Sequence, residues 1–153
     1  MSQTPKFLSS FSSIGLSAST AFDALQQIGN IGLNEGLVMA SWPDAVLARE
    51  KEFPTGLPTP IAVAIPHTDS VHVSADGIGF FRLSHPVSFG EMGSTEQFID
   101  VQIVIPLLIT DHEKQVDLLM TVIAAVQDEE FVAKLNIAAD IDAVAKLFAS
   151  KNL

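Results

Sequence analysis

The sequence predicts an α/β protein in which helices flank a mixed sheet. Three observations lead there. Short β-branched apolar runs bounded by turn residues are interspersed with longer stretches whose apolar residues recur at helical period. Hydrophobic residues make up 48% of the chain against 17% charged, a balance suited to layers buried on both faces of a sheet. No repeat or long linker divides the 153 residues, so a single domain over 1–153 is expected, large enough to bury a core without disulfides or metal.

The elements follow in order. Residues 1–18 are serine-rich, with Ser10, Ser12 and Ser13 interrupting the apolar residues. They read as a flexible N-terminal segment and a poor signal peptide. Thr20 with Asp23 is a capping-box-like helix start; Phe22, Leu25 and Ile28 supply its apolar stripe and Gly36 its stop. Ser41 with Asp44 repeats the cap, Pro43 is tolerated in the first turn, and the helix must end before Pro54, which places Arg49 near its C-terminus. Phe53 to Leu57 is a turn. Pro60 to Pro66 is brief, β-branched and bounded by prolines, so it reads as a strand with His67 directly after it. Ile78–Leu83 and Asp100–Leu108 are further strands, the second nearly continuous in apolar residues and therefore central; His85 before Pro86 marks a turn. Thr110 with Glu113 forms another capping box, followed by the stripe Val116, Leu119, Met120, Ile123 and Val126. Asp128–Leu135 is a short helix, and Asp140 caps a last one with Ile141, Val144, Ala145 and Phe148 on one face.

Composition removes several kinds of chemistry. The chain has no cysteine, which excludes disulfides, thiolate metal sites and covalent catalysis through sulfur. A net charge of −10, with eight basic residues among eighteen acidic ones, opposes nucleic-acid binding and favours a basic protein partner. The longest apolar run, Val101 to Ile109, contains Gln102 and Pro106 and is too short to cross a bilayer. A soluble, cytoplasmic protein without membrane insertion is expected.

The residues left to carry chemistry are few. A histidine just beyond a buried strand is held rigidly yet can meet a partner, and neutral imidazole near pH 7 offers a lone pair for attack on phosphorus. His67 has that position, and no cofactor is demanded. His112 falls at the second position of a capped helix, where free amides and the dipole favour an anion and disfavour imidazolium. Arg49 lies in the cluster Arg49-Glu50-Lys51-Glu52, which reads as a solvated face, although guanidinium also neutralises phosphoryl oxygens at two points. Thr68 and Thr55 are candidate phosphate contacts. His72 and His85 are peripheral. Metal binding is disfavoured because His67 and His72 match no ligand spacing, and no glycine-rich loop opens a helix with the lysine a nucleotide site needs.

The segment Ala48-Arg49-Glu50-Lys51-Glu52-Phe53-Pro54-Thr55-Gly56-Leu57, followed by Ile61-Ala62-Val63-Ala64-Ile65-Pro66-His67-Thr68, resembles enzyme IIA of the fructose and mannitol class in the sugar phosphotransferase system (PTS). With Trp42-Pro43 before the arginine it is most similar to the galactitol branch. The resemblance runs from about Thr20 to the C-terminus. It implies a mixed sheet of about five strands with helices on both sides. It also implies a phosphohistidine at His67, formed from the carrier HPr and passed to a cysteine of the cognate IIB component, which serves the membrane component IIC. Arg49 would neutralise phosphoryl charge and His112 would match the family's second histidine. Thr68 departs from the glycine that members often carry after the active histidine. A chain without cysteine cannot itself be the IIB carrier. The alternative is a regulatory, nitrogen-type IIA phosphorylated at the same histidine but acting by protein binding; a small-ligand or metal module ranks below both.

Overall fold

The structure, a computed structural model, describes residues 4–153. Among these residues one mixed sheet holds β1 (Phe7–Leu16), β2 (Gly56–Leu57), β3 (Ala62–Ala64), β4 (Gly77–Gly90), β5 (Phe98–Val104) and β6 (Leu107–Leu108). Its order is β1-β4-β5-β3-β2, with β6 also paired to β4. The β1–β4 and β3–β5 pairs are parallel; β4–β5, β2–β3 and β4–β6 are antiparallel. Five helices cover the sheet: α1 (Ala21–Asn34), α2 (Trp42–Glu52), α3 (Gln115–Val126), α4 (Glu129–Ile137) and α5 (Ile141–Ser150).

The two-residue side-chain period of a strand sorts the core into two layers. Val63, Ile65, Phe80 and Ile103 pack with Leu118, Val122, Phe131, Val144 and Phe148 under α3, α4 and α5. Ala62, Ala64, Phe81 and Val104 pack with Leu25, Ile28, Trp42 and Val46 under α1 and α2. Helices on both sides of a mixed sheet are therefore present as expected, with β5 central.

Several elements depart from the sequence reading. The expected flexible segment 1–18 holds a ten-residue edge strand, β1. Its serines do not disqualify it, because Ser12 fills a ladder irregularity: its hydroxyl donates to Leu8 O at 2.7 Å and accepts from Phe80 N at 3.2 Å. The turn expected at His85-Pro86 lies inside β4. The β4–β5 register shifts between Arg82 and Val87, and a bulge tolerates a proline that lacks a ladder donor. The run 100–108 is two strands, because Pro106 interrupts the ladder between β5 and β6. Gly56–Leu57, expected as turn, pairs with β3.

The helix starts show a similar mixture. Thr20 caps α1 by accepting from Asp23 N at 3.0 Å, while Phe22 of the expected stripe is exposed. Ser41 precedes α2 without a capping bond; its hydroxyl pairs with His72 Nδ1 at 2.7 Å. Asp111, not Thr110, caps the next helical stretch, since both Thr110 N and Oγ1 donate to Asp76. Of the expected α3 stripe, Val126 is buried and Leu119 and Ile123 pack partly against the core, but Val116 and Met120 do not. Leu118, Val122, Ala125 and Val126 are buried, whereas Val116 and Met120 are 67% and 64% exposed. A helix this apolar on both sides does not reveal its inner face by period alone.

Candidate active site

His67 stands three residues beyond β3, and its backbone is fixed before its side chain is considered. Ile105 N donates to Ala64 O at 2.8 Å and Leu107 N donates to Pro66 O at 3.0 Å, so the strand after Ala64 stays laced to the β5–β6 segment. Ile65 N donates to Thr55 Oγ1 at 3.1 Å on the opposite edge. With Pro66 also restricting the residue before it, little freedom remains in Ala64–His67.

The ring orientation follows from a single contact. His67 Nδ1 lies 2.9 Å from Ile65 O, and a carbonyl can only accept, so Nδ1 carries the proton in this bond. In the neutral ring Nε2 then holds the lone pair. Burial pushes the imidazole below its ordinary pKa; the bond to Ile65 opposes this, the Arg49 charge lowers it further and Asp69 raises it. The residue is 6% exposed and neutral near pH 7.

A cleft of about 440 Å³ holds His67 with Arg49, Glu52, Phe53, Pro54, Thr55, Leu119 and the Met92–Thr95 loop. Arg49 arrives from the last turn of α2. Its guanidinium stacks over Phe53 at 5.6 Å and stands 3.7 Å from Asp69, a half-exposed and weak ion pair. Its Nε is buried with no acceptor among the described residues, so one strong donor is uncommitted beside the histidine.

The other expected residues are placed differently. Thr55 lines the cleft, but its hydroxyl donates to Glu50 Oε1 at 2.7 Å while accepting from Ile65 N. Thr68 is buried and donates to Asp69 O at 2.9 Å. Both hydroxyl protons are committed within the protein. His112 opens an exposed 3-10 turn (His112–Lys114) and is not among the residues lining the cleft. That turn is nevertheless tied to the site, because Gln115 Nε2 donates to Thr68 O at 2.8 Å. His72 and His85 pair with Ser41 and Ser84, and neither is among the residues lining this cleft.

Sequence reasoning missed Glu50, which is buried rather than part of a solvated cluster. A signal existed: Trp42, Val46 and Glu50 are spaced four apart, and all three face inward. Among the described residues no group of three or more His, Cys, Asp or Glu is arranged to hold a metal. No helix there is long and apolar enough to cross a membrane.

Fold and cleft define a class: a mixed-sheet α/β domain presenting one neutral, buried histidine beside an arginine. Residues 8–151 match the family model for the phosphoenolpyruvate-dependent sugar phosphotransferase system, EIIA 2, and the chain belongs to that family of phosphotransferases. It is similar to the galactitol-specific EIIA component of Escherichia coli K12, 33% identical over 122 residues that cover 79% of this chain and 81% of the relative. Its fold is similar to that of IIA mannitol in complex with phosphorylated IIB mannitol from E. coli. The TM-score is 0.71 at 25% identity, covering 98% of this chain and 97% of that one. The nitrogen regulatory protein IIA-Ntr of Neisseria meningitidis shares the fold, with a TM-score of 0.70 at 18% identity over 92% and 97% of the two chains.

Proposed function

We propose that His67 is the phosphoryl acceptor, taking the group from phospho-HPr through Nε2 and passing it to a cysteine of a cognate IIB component. The observation that carries this reading is the Nδ1 contact to Ile65 O, which leaves Nε2 unprotonated in the cleft. Nε2 attacks phosphorus as the bond from phosphorus to the donor nitrogen breaks, and no proton needs to leave His67. As the ring gains positive charge its Nδ1–H bond to the carbonyl strengthens, favouring the transition state over the ground state. In the second step the IIB thiolate attacks and the ring leaves with its electron pair.

Arg49 supplies charge neutralisation, with its uncommitted Nε–H available to a phosphoryl oxygen. His112 lies in the exposed turn just before Gln115, which donates to Thr68 O; its role as second histidine rests on the family resemblance. The exposed stripe of Val116 and Met120 continues from cleft-lining Leu119 along α3, and with Phe53 it forms an apolar rim for protein partners.

The relationship to galactitol-specific EIIA favours a sugar or polyol transport role, with galactitol as the leading substrate of the system and a cytoplasmic location. The regulatory alternative has fold similarity alone on its side. Incubation with enzyme I, HPr and phosphoenolpyruvate should give an acid-labile phosphoryl label that His67→Ala abolishes. Label persisting in that variant would assign the nucleophile elsewhere. Chasing the label into purified IIB domains should empty this protein fastest with the galactitol-type IIB; no transfer to any IIB would favour regulation.

A further inference from the structure

The antiparallel ladder between β2 and β3 stops at Ala64, three residues before His67, and a buried carboxylate stands at the break. Leu57 pairs with Val63 and Gly56 with Ala64, so continued register would place Thr55 opposite Ile65. Ala64 O is bound to Ile105 N on the β5 side, so the N–H and C=O of its neighbour Ile65 face the β2 side. Thr55 N–H would then be the natural ladder donor to Ile65 O. It is instead taken by Glu50 Oε2 at 2.6 Å, while Glu50 Oε1 accepts from the Thr55 hydroxyl at 2.7 Å. The same hydroxyl replaces the missing carbonyl partner of Ile65 N. Ile65 O is left for His67 Nδ1.

We infer that Glu50 is a positioning residue for phosphoryl transfer: by diverting the Thr55 amide it keeps the Ile65 carbonyl open to His67 Nδ1–H and so holds Nε2 as the free nitrogen. Glu50 is 5% exposed in the last turn of α2, and both carboxylate oxygens are spent on Thr55. A buried ionisable side chain is costly, and a helix-to-turn connection alone does not require one. Loss of the diversion would let Thr55 N–H compete for Ile65 O, and the imidazole would then distribute its proton between both nitrogens. The inference rests on His67 as acceptor, but its primary readout does not involve phosphate.

The test is nitrogen-15 NMR of the His67 ring in the unphosphorylated full chain above pH 7, together with the rate of transfer from phospho-HPr. Wild type should show the pure Nδ1–H tautomer. Glu50→Met, of similar length without an acceptor, should bring the two ring-nitrogen shifts together, produce a hydrogen-bond coupling from Thr55 N to Ile65 C, and slow transfer roughly tenfold or more. Glu50→Asp keeps the charge but not the reach and should behave as the Met variant does, which covers the case in which Met does not fold. Glu50→Gln retains an acceptor for Thr55 N–H and should restore the wild-type spectrum. A wild-type ring protonated on Nε2, or unchanged spectra and rates in folded Met and Asp variants, overturns the inference. So does a Gln variant as disturbed as Met, since charge rather than diversion would then be responsible. A failed labelling experiment would instead remove the acceptor role and leave the tautomer result standing.

Discussion

A nucleophile for phosphorus must be unprotonated at working pH, and for His67, the acceptor proposed above, burial and not an auxiliary base would secure that state. The sign is definite. The folded ring titrates below the ordinary histidine value of 6.5, so only the fraction protonated below that value is inactive. The rate of phosphoryl acceptance should be flat through neutrality and fall only as pH drops through the folded value. Measured from pH 5 to 8 with HPr in excess, a midpoint above 6.5 would contradict the assignment. Stability has the same sense: the unfolded chain takes up its proton first, so His67 costs stability as pH falls below about 6.5 and nothing above it. At this scale the positions of His67 and Arg49 were legible, because a strand end and a helix end place side chains predictably, and both line one cleft. It was not legible for Thr55 and Thr68, whose hydroxyl protons go to nearby protein acceptors that are invisible until the turn is folded.

Short elements owe their geometry to contacts distant in the chain. Helix α1 ends as read, with Gly36 at φ +69° and the paired bonds Gly36 N to Leu33 O and Leu37 N to Gly32 O of a Schellman motif. Strand β2 was unreadable because two residues carry no period; its glycine is explained only by the neighbouring strand. A Cβ on Gly56 would lie 2.5 Å from Gly90 O, a main-chain atom that cannot swing away. Gly56→Ala should therefore destabilise by about 1–3 kcal/mol, read as a lower urea midpoint with unchanged slope. A midpoint within error of wild type would mean the β2–β4 approach is looser than described. The exposed Val116 and Met120 of α3 make a second element-scale prediction. Met120→Lys should leave the urea midpoint within about 0.5 kcal/mol of wild type, since the side chain is 64% exposed, yet raise the KM for phospho-HPr. An unchanged KM would take α3 out of the docking rim.

For the molecule as a whole, composition anticipated layers on both faces of a sheet, and the two cores under α1–α2 and α3–α5 bear this out. Strand count and order were less accessible. Edge strand β1 hides behind serines, and β5 and β6 merge into one apolar run because Pro106 is a ladder interruption that hydropathy does not register. The lacing around Pro66 has a kinetic consequence. A ring whose backbone is bound on both edges cannot travel between two docking places, so donor and acceptor proteins must occupy one cleft in turn. Initial rates with HPr and IIB varied together should give parallel double-reciprocal lines, the signature of a ping-pong cycle, and intersecting lines would argue for a ternary complex. Each partner in excess should also hold the form of the domain it cannot use, so surplus unphosphorylated IIB acts as a competitive brake on recharging.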